Sequence, residues 1–230
     1  MKKTISLLLA LVMCLSLCAC GGGNSDTPET TEAASPTSFL TSMSWKGTDG
    51  FNSELRANFL EDGTGTYNGN ECTWEMYDGI VSVSYQAQYG QANLDFEVIE
   101  YSGVTMLRGS YTFLLPAEGY KEACVAKQEY MLSVAEELNW TEAHNLKLDN
   151  GAKAKLEYEG KIVKWTATVY EIDSIYAMMS DRYEDGWPVN SINVYMDTEE
   201  LVKLNSLQEY TIVGILDIET SKIRCGIVLE

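Results

Sequence analysis

Polar and apolar residues alternate with a period of two over much of the chain. Leu55, Ala57 and Phe59 are separated by Arg56 and Asn58, and Cys72, Trp74 and Met76 by Thr73 and Glu75. Val81, Val83 and Tyr85 are separated by Ser82 and Ser84, Leu94, Phe96 and Val98 by Asp95 and Glu97, and Tyr111 and Phe113 close the series. Such alternation puts one set of side chains in a core and the other in water, as in antiparallel strands with one wet face. Between the runs stand Asp49-Gly50, Asp62-Gly63, Asn68-Gly69, Asp78-Gly79 and Ser102-Gly103. These dipeptides supply the positive φ that tight hairpins need. About eight short strands at even spacing predict an antiparallel meander that closes, or nearly closes, into a barrel.

From Pro116 the period changes. Tyr120, Cys124, Met131, Val134, Ala135 and Leu138 lie near helical spacing, with Glu136 and Glu137 turned outward, which predicts one helix from about 118 to 138. Thr141-Glu142-Ala143-His144 and Asn150-Gly151-Ala152-Lys153-Ala154 suggest short helical turns. After Lys161 the period of two returns, with Val163, Trp165, Ala167 and Val169 opposed by Ile162, Lys164, Thr166 and Thr168. Further strands are expected at 175–179, 192–196, 210–216 and 223–229, with a short helical piece at 198–204 between the third and fourth. That layout is a five-stranded OB-type barrel whose long first strand bends.

Two resemblances refine this reading. Trp45-Lys46-Gly47, then Phe59-Leu60-Glu61-Asp62-Gly63-Thr64-Gly65, then Cys72-Thr73-Trp74 resemble the lipocalin-like modules of secreted bacterial lipoproteins. Asn150, Ala152 and Ala154, then 158–163, Thr168-Val169 and Ile172, then Leu201, Leu204, 210–214 and Cys225-Gly226-Ile227 resemble the tRNA-anticodon-type OB-like family. Periodicity and the two resemblances together predict a mainly β fold: a lipocalin-like barrel over 39–116, a helical connector over 117–144 and an OB-like barrel over 145–230. They imply no ligand, because such folds host many functions.

The N-terminus changes the picture. Met1-Lys2-Lys3 is a basic head, and 5–19 is apolar apart from Ser6 and Ser16. This is the build of a secretory signal, short of the roughly 20 residues that span a bilayer. Leu17-Cys18-Ala19-Cys20 resembles a bacterial lipobox. The resemblance implies removal of 1–19 and a diacylglyceryl thioether on Cys20, hence a cell-membrane lipoprotein on the extracytoplasmic face. Residues 20–38, rich in Gly, Ser, Thr and Pro, read as a disordered tether with a root-mean-square reach of roughly 20–25 Å.

Charge excludes some partners. The chain carries −18, and loss of Lys2 and Lys3 with the leader leaves 14 basic against 34 acidic residues. Such a surface repels phosphate backbones and anionic lipid, so no nucleic-acid partner is expected and membrane attachment is assigned to lipid alone. Cys72, Cys124 and Cys225 remain after cleavage. They are read either as buried thiols or as including one disulfide, since their spacing matches no metal knot.

Signals for chemistry are sparse. The one histidine, His144, has no companions at metal-ligand or triad spacing. Asp181, Glu184 and Asp185 form the densest acidic loop, which is read as solvated, with calcium as the alternative. Tyr183 and Trp187, in the loop between the second and third OB strands, are possible ligand-binding residues, because flat aromatic faces stack on sugars or clamp peptides. The alternative is that Trp187-Pro188 plugs the barrel end. No catalytic residue, metal ligand or cofactor is assigned. The expected function is a non-enzymatic envelope lipoprotein that binds a protein, peptide or glycan through its β domains. The alternatives are a carboxylate-based hydrolase of envelope polymer and a structural spacer. Cys20→Ala is expected to move the protein from the membrane to the soluble fraction on fractionation; retention with lipid would contradict the anchor.

Overall fold

The structure, a computed structural model, describes residues 37–49 and 53–229. The expected leader over 1–19, Cys20 and most of the expected tether lie outside these residues, while Thr37 precedes and Ser38 opens a short helix, α1 (Ser38–Thr41). Leu40 of α1 is buried among the core residues of the first barrel, and the indole of Trp45 donates to its carbonyl at 3.1 Å.

Eight antiparallel strands follow: β1 (Ser44–Thr48), β2 (Glu54–Phe59), β3 (Thr64–Tyr67), β4 (Asn70–Tyr77), β5 (Ile80–Ala87), β6 (Gly90–Tyr101), β7 (Val104–Arg108) and β8 (Phe113–Pro116). They pair in chain order, and β1 against β8 closes an up-and-down barrel. Trp45, Ala57, Phe59, Val81, Val83 and Phe96 fill its interior, as the alternation requires. Asn68-Gly69, Asp78-Gly79 and Ser102-Gly103 each turn with positive φ at both residues, matching the right-handed twist of the flanking strands.

The residues behind the first resemblance do structural work. A Cβ on Gly47 would lie 2.1 Å from the Phe113 carbonyl oxygen, so only glycine lets β1 meet β8. A Cβ on Gly65 would lie 2.3 Å from the Asn58 carbonyl oxygen. Asp62 accepts from the backbone and hydroxyl of Thr64 at 2.9 and 2.6 Å, and the Trp74 indole donates to the carbonyls of Leu60 and Thr64, each at 3.0 Å.

The helical region is broken where the sequence suggests continuity. Helix α2 (Tyr120–Val134) stops when Ala135 turns extended. Glu136–Glu137 then form β9, parallel to the first strand of the second barrel, held by Glu136–Lys161 and Glu137–Lys164 pairs at 2.8 and 2.9 Å. This departs from the expected helix to 138, because strand pairing at 136–137 sends Leu138 into the second core. The expected short turns are full helices, α3 (Trp140–Asp149) and α4 (Gly151–Tyr158). Asn139 caps α3 by accepting from the Glu142 amide at 3.2 Å, and Asn150 caps α4 by accepting from the Lys153 amide at 3.0 Å. Asparagine favours such positions because its side chain satisfies an otherwise unpaired N–H.

The second barrel consists of β10 (Ile162–Ile172), β11 (Tyr176–Ser180), β14 (Ile192–Met196), β15 (Glu209–Asp217) and β16 (Lys222–Leu229). A hairpin of β12 (Tyr183–Glu184) and β13 (Trp187–Pro188) follows β11, and helix α5 (Thr198–Leu201) follows β14. The pairing order is β11-β14-β16-β15-β10, with β10 returning to β11 and β14 parallel to β16. This is the OB-type five-stranded closed order. A register shift between Val169 and Glu171 bends the long β10 so that it can serve both neighbours. Glu200 of α5 is buried and bound on both sides, accepting from the Val228 amide at 2.7 Å and from Lys203 at 2.7 Å.

The barrels share an apolar layer. Met106, Phe113 and Leu115 on the outer face of β7 and β8 pack with Ala123 and Met131 of α2 and with Ile162, Val213, Ile215 and Ile227 of the second barrel. Polar groups at the rim are paired. Tyr111 donates to Glu159, whose other oxygen accepts from the Ile218 amide at 2.9 Å. The Arg224 guanidinium lies 4.9 Å over the Tyr111 ring and donates to buried Asp217 at 2.6 and 3.1 Å. Arg108 donates to the Gly160 carbonyl at 2.8 Å.

Two measurements test this account. Gly47→Ala is expected to destabilise the chain by about 1–3 kcal/mol through overpacking at the barrel seam, read by urea denaturation; an unchanged midpoint would refute the seam argument. Burial opposes the charge on Asp217, but bonds from Thr220 and Arg224 outweigh it and hold the carboxyl below its ordinary 3.8. Its contribution is therefore complete above 3.8 and lost as pH falls through the lower folded-state value. Asp217→Asn is expected to cost about 3 kcal/mol at neutral pH, since Arg224 stays buried without its counter-charge, and to flatten the acid limb of stability against pH.

Candidate functional site

Tyr183 and Trp187 sit on opposite arms of the β12–β13 hairpin. Glu184 pairs with Trp187 and Tyr183 with Pro188, across a turn in which Asp185 and Gly186 both have positive φ. The hairpin is fixed at its base by buried Ser180, whose hydroxyl reaches the carbonyls of Arg182 and Val189 at 2.7 and 2.8 Å. Trp187 is 68 % exposed and Tyr183 36 % exposed, so Trp187 does not plug the barrel. Another indole occupies the interior: Trp140 of α3 is fully buried in the second core and donates to the Asn190 carbonyl at the foot of the hairpin. Asn139, as cap of α3, is the sequence signal that could have placed Trp140 there.

Two of the acidic residues around the hairpin have partners of their own. Asp181 accepts from the Trp165 indole at 3.2 Å, and Glu184 pairs with Arg182. Among the described residues, no group of three or more His, Cys, Asp or Glu is gathered as for a metal ion. His144 lies 5.4 Å from the Trp140 ring, and its Nδ1 is buried without a hydrogen-bond partner. The described cysteines are free thiols. Cys72 is in the first barrel's core, while Cys124 and Cys225 line a cleft of about 560 Å³ beside α2. Burial pushes each of the three thiols above its ordinary pKa, which keeps them protonated and weakly nucleophilic.

Two further surfaces emerge that sequence reasoning did not single out. On the outer face of β11 and β14, Tyr176 opposes Tyr195 with ring centroids 5.5 Å apart, and Lys222 lies 5.5 Å from the Tyr195 ring. Equivalent tyrosines on neighbouring strands signal such a pair only once register is known.

The second surface is an opening in the first barrel, a cavity of about 480 Å³. Its floor is Leu55, Tyr67, Tyr85, Leu94 and Phe96, and Asp49, Asn68 and Asp95 stand at its rim. Tyr67 lies 5.2 Å from Tyr85 and 6.0 Å from Phe96, ring to ring. Burial, reinforced by Tyr85 and Asp49, raises the Tyr67 hydroxyl well above the ordinary tyrosine value, so it stays neutral. An aromatic floor under a few polar groups is the usual composition of a small binding site, and barrel mouths are a usual place for one. Cys20, the expected lipidation site, lies outside the described residues. No helix of the described residues is long and apolar enough to cross a membrane. No family model matches the chain, and no curated protein or solved structure does either.

Proposed function

We propose that the chain is a lipid-anchored protein of the extracytoplasmic membrane face that binds a protein, peptide or glycan partner through its β domains, without catalysing a reaction. The lipobox-like Leu17-Cys18-Ala19-Cys20 supports the anchor, and the acidic surface supports a partner other than nucleic acid. The observation that carries the binding reading is the β12–β13 hairpin. It holds an indole 68 % exposed on a short, internally locked support. Burying one large aromatic stabilises by about 1.5–3 kcal/mol, so an indole left in water on a fixed hairpin is better explained by a partner than by packing. Its acid neighbours Glu184 and Asp185 are also exposed, and a donor-rich ligand, such as a sugar hydroxyl or a peptide amine, suits that combination.

The buried carboxylates Glu200 and Asp217 bear on the hydrolase alternative. Each is engaged by a lysine or arginine within its own barrel, a structural use that leaves no observation favouring paired acid–base work.

Capture from envelope extract on the soluble mature chain, compared with Trp187→Ala, tests the reading. The variant is expected to fold normally and to lose about tenfold in retained partner, the scale of a hot-spot aromatic. Equal capture by both proteins would remove the hairpin from the function.

A further inference from the structure

Strand β6 is longer than what covers it. Its residues Gly90–Glu97 pair with β5 on one side, but only Glu97–Tyr101 pair with β7 on the other. Beyond Arg108 the chain turns away, the Gly109 amide bonding to the Thr112 carbonyl at 2.9 Å. Among the described residues, none pairs with 91–96 on that side, and residues 93–96 of this edge line the 480 Å³ opening.

The direction of the free groups follows from the ladder. The Val98 amide bonds toward Gly79, on the β5 side. Backbone groups alternate sides along an antiparallel strand, so those of Gln91, Asn93 and Asp95 point to the open side. The side chains alternate as well: Leu94 and Phe96 face the barrel floor, and Asn93 and Asp95 face outward. Edges of this kind are normally blunted by lysine, proline or a covering loop. Here the opening carries Asp49 and Asp95 at its rim and no lysine or arginine among its lining residues.

We infer that the edge of β6 at residues 91–96 captures a basic, extended peptide segment, which joins the sheet as an antiparallel strand. The edge lies on the first barrel, apart from the β12–β13 hairpin, so this goes beyond the binding reading above and stands or falls separately from it. Alternate residues of the segment serve different ends. Those opposite Asn93 and Asp95 turn outward and are basic, answering Asp95 and the chain's net charge of −18. Those between them turn inward and are apolar, resting on Leu94, Phe96 and Tyr85. Main-chain bonds supply affinity, and the alternate side chains supply selectivity. A second copy of this chain is a poor occupant, because two acidic rims would meet.

The probe is an acetylated hexapeptide alternating lysine and valine, titrated calorimetrically into the mature chain made soluble by Cys20→Ala. Binding is expected, with a glutamate–valine analogue weaker by about tenfold or more. N-methylation of the lysine amides, which would face β6, is expected to weaken binding by about tenfold, while N-methylation of the valine amides changes it by less than about twofold. Equal sensitivity to the two methylation patterns would overturn strand addition. Asn93→Pro removes an N–H that points away from β5, so folding by far-UV circular dichroism should persist while binding falls about tenfold. Should that variant not fold, Asp95→Lys keeps the backbone and is expected to invert the preference between the two peptides; an unchanged preference would overturn the inference. Trp187→Ala is expected to leave peptide affinity unchanged. Loss in Trp187→Ala with none in Asn93→Pro would sink the edge while leaving the binding reading standing. A dimer in sedimentation that Asn93→Pro abolishes would assign the edge to a second copy and overturn the peptide.

Discussion

The buried layer between the two barrels is the constraint from which the rest of the structure follows. A β-strand ordinarily turns one face to a core and one to water. Strands β7, β8, β10, β15 and β16 bury residues on both faces: Leu107 and Leu114 belong to the first barrel's interior, while Met106, Phe113 and Leu115 belong to the shared layer. In the second barrel Ile212 and Leu216 face inward, and Val213 and Ile215 face the layer. Helix α2 can enter because Ala123, small and buried, lets it approach. The polar groups at the rim are paired across the junction, Tyr111 with Glu159 and Arg108 with the Gly160 carbonyl. A layer of this kind cannot be opened without exposing apolar surface and orphaning buried polar atoms together.

This also explains which parts of the fold were legible in the sequence. Alternation at 55–59, 81–85 and 94–98 reports strands with one wet face, and all of these lie away from the layer. The dipeptides Asn68-Gly69 and Asp78-Gly79 report the hairpins, because positive φ is a local requirement. At 113–115 and 212–216 the apolar run is nearly unbroken. That is the trace of burial on two faces, but periodicity alone does not say what covers the second face. The end of α2 was illegible for a related reason. Residues 135–138 have ordinary helical character, and only the pairing of Glu136 and Glu137 with Val163 and Lys164, distant in sequence, makes them extended.

The candidate site was legible only in part. Tyr183 and Trp187 stand out as aromatics in a loop, but whether an indole plugs or projects depends on whether another group has filled the interior. Trp140 is buried in the second core and donates to the Asn190 carbonyl at the foot of the hairpin, and it arrives from α3, which follows β9. The motif residues Gly47, Asp62, Gly65 and Trp74 tell a different story. Each is accounted for by close approach or by hydrogen bonding within the barrel wall. A pattern made of such residues can announce a fold while remaining silent about a ligand.

The same layer accounts for the opening in the first barrel. Continuing β7 past Arg108 would extend its ladder along β6 and cover residues 91–96. The chain instead turns at Gly109 so that Tyr111 can reach the second barrel, where its ring lies against Arg224, its hydroxyl meets Glu159 and its carbonyl accepts from Cys225 at 3.5 Å. Gly109 permits the turn at close quarters, since a Cβ there would lie 3.1 Å from the Phe96 ring. Tyr111 cannot serve the junction and leave β7 free to run on. The contacts that fasten the barrels together are therefore the contacts that keep β7 from running on along residues 91–96 of β6.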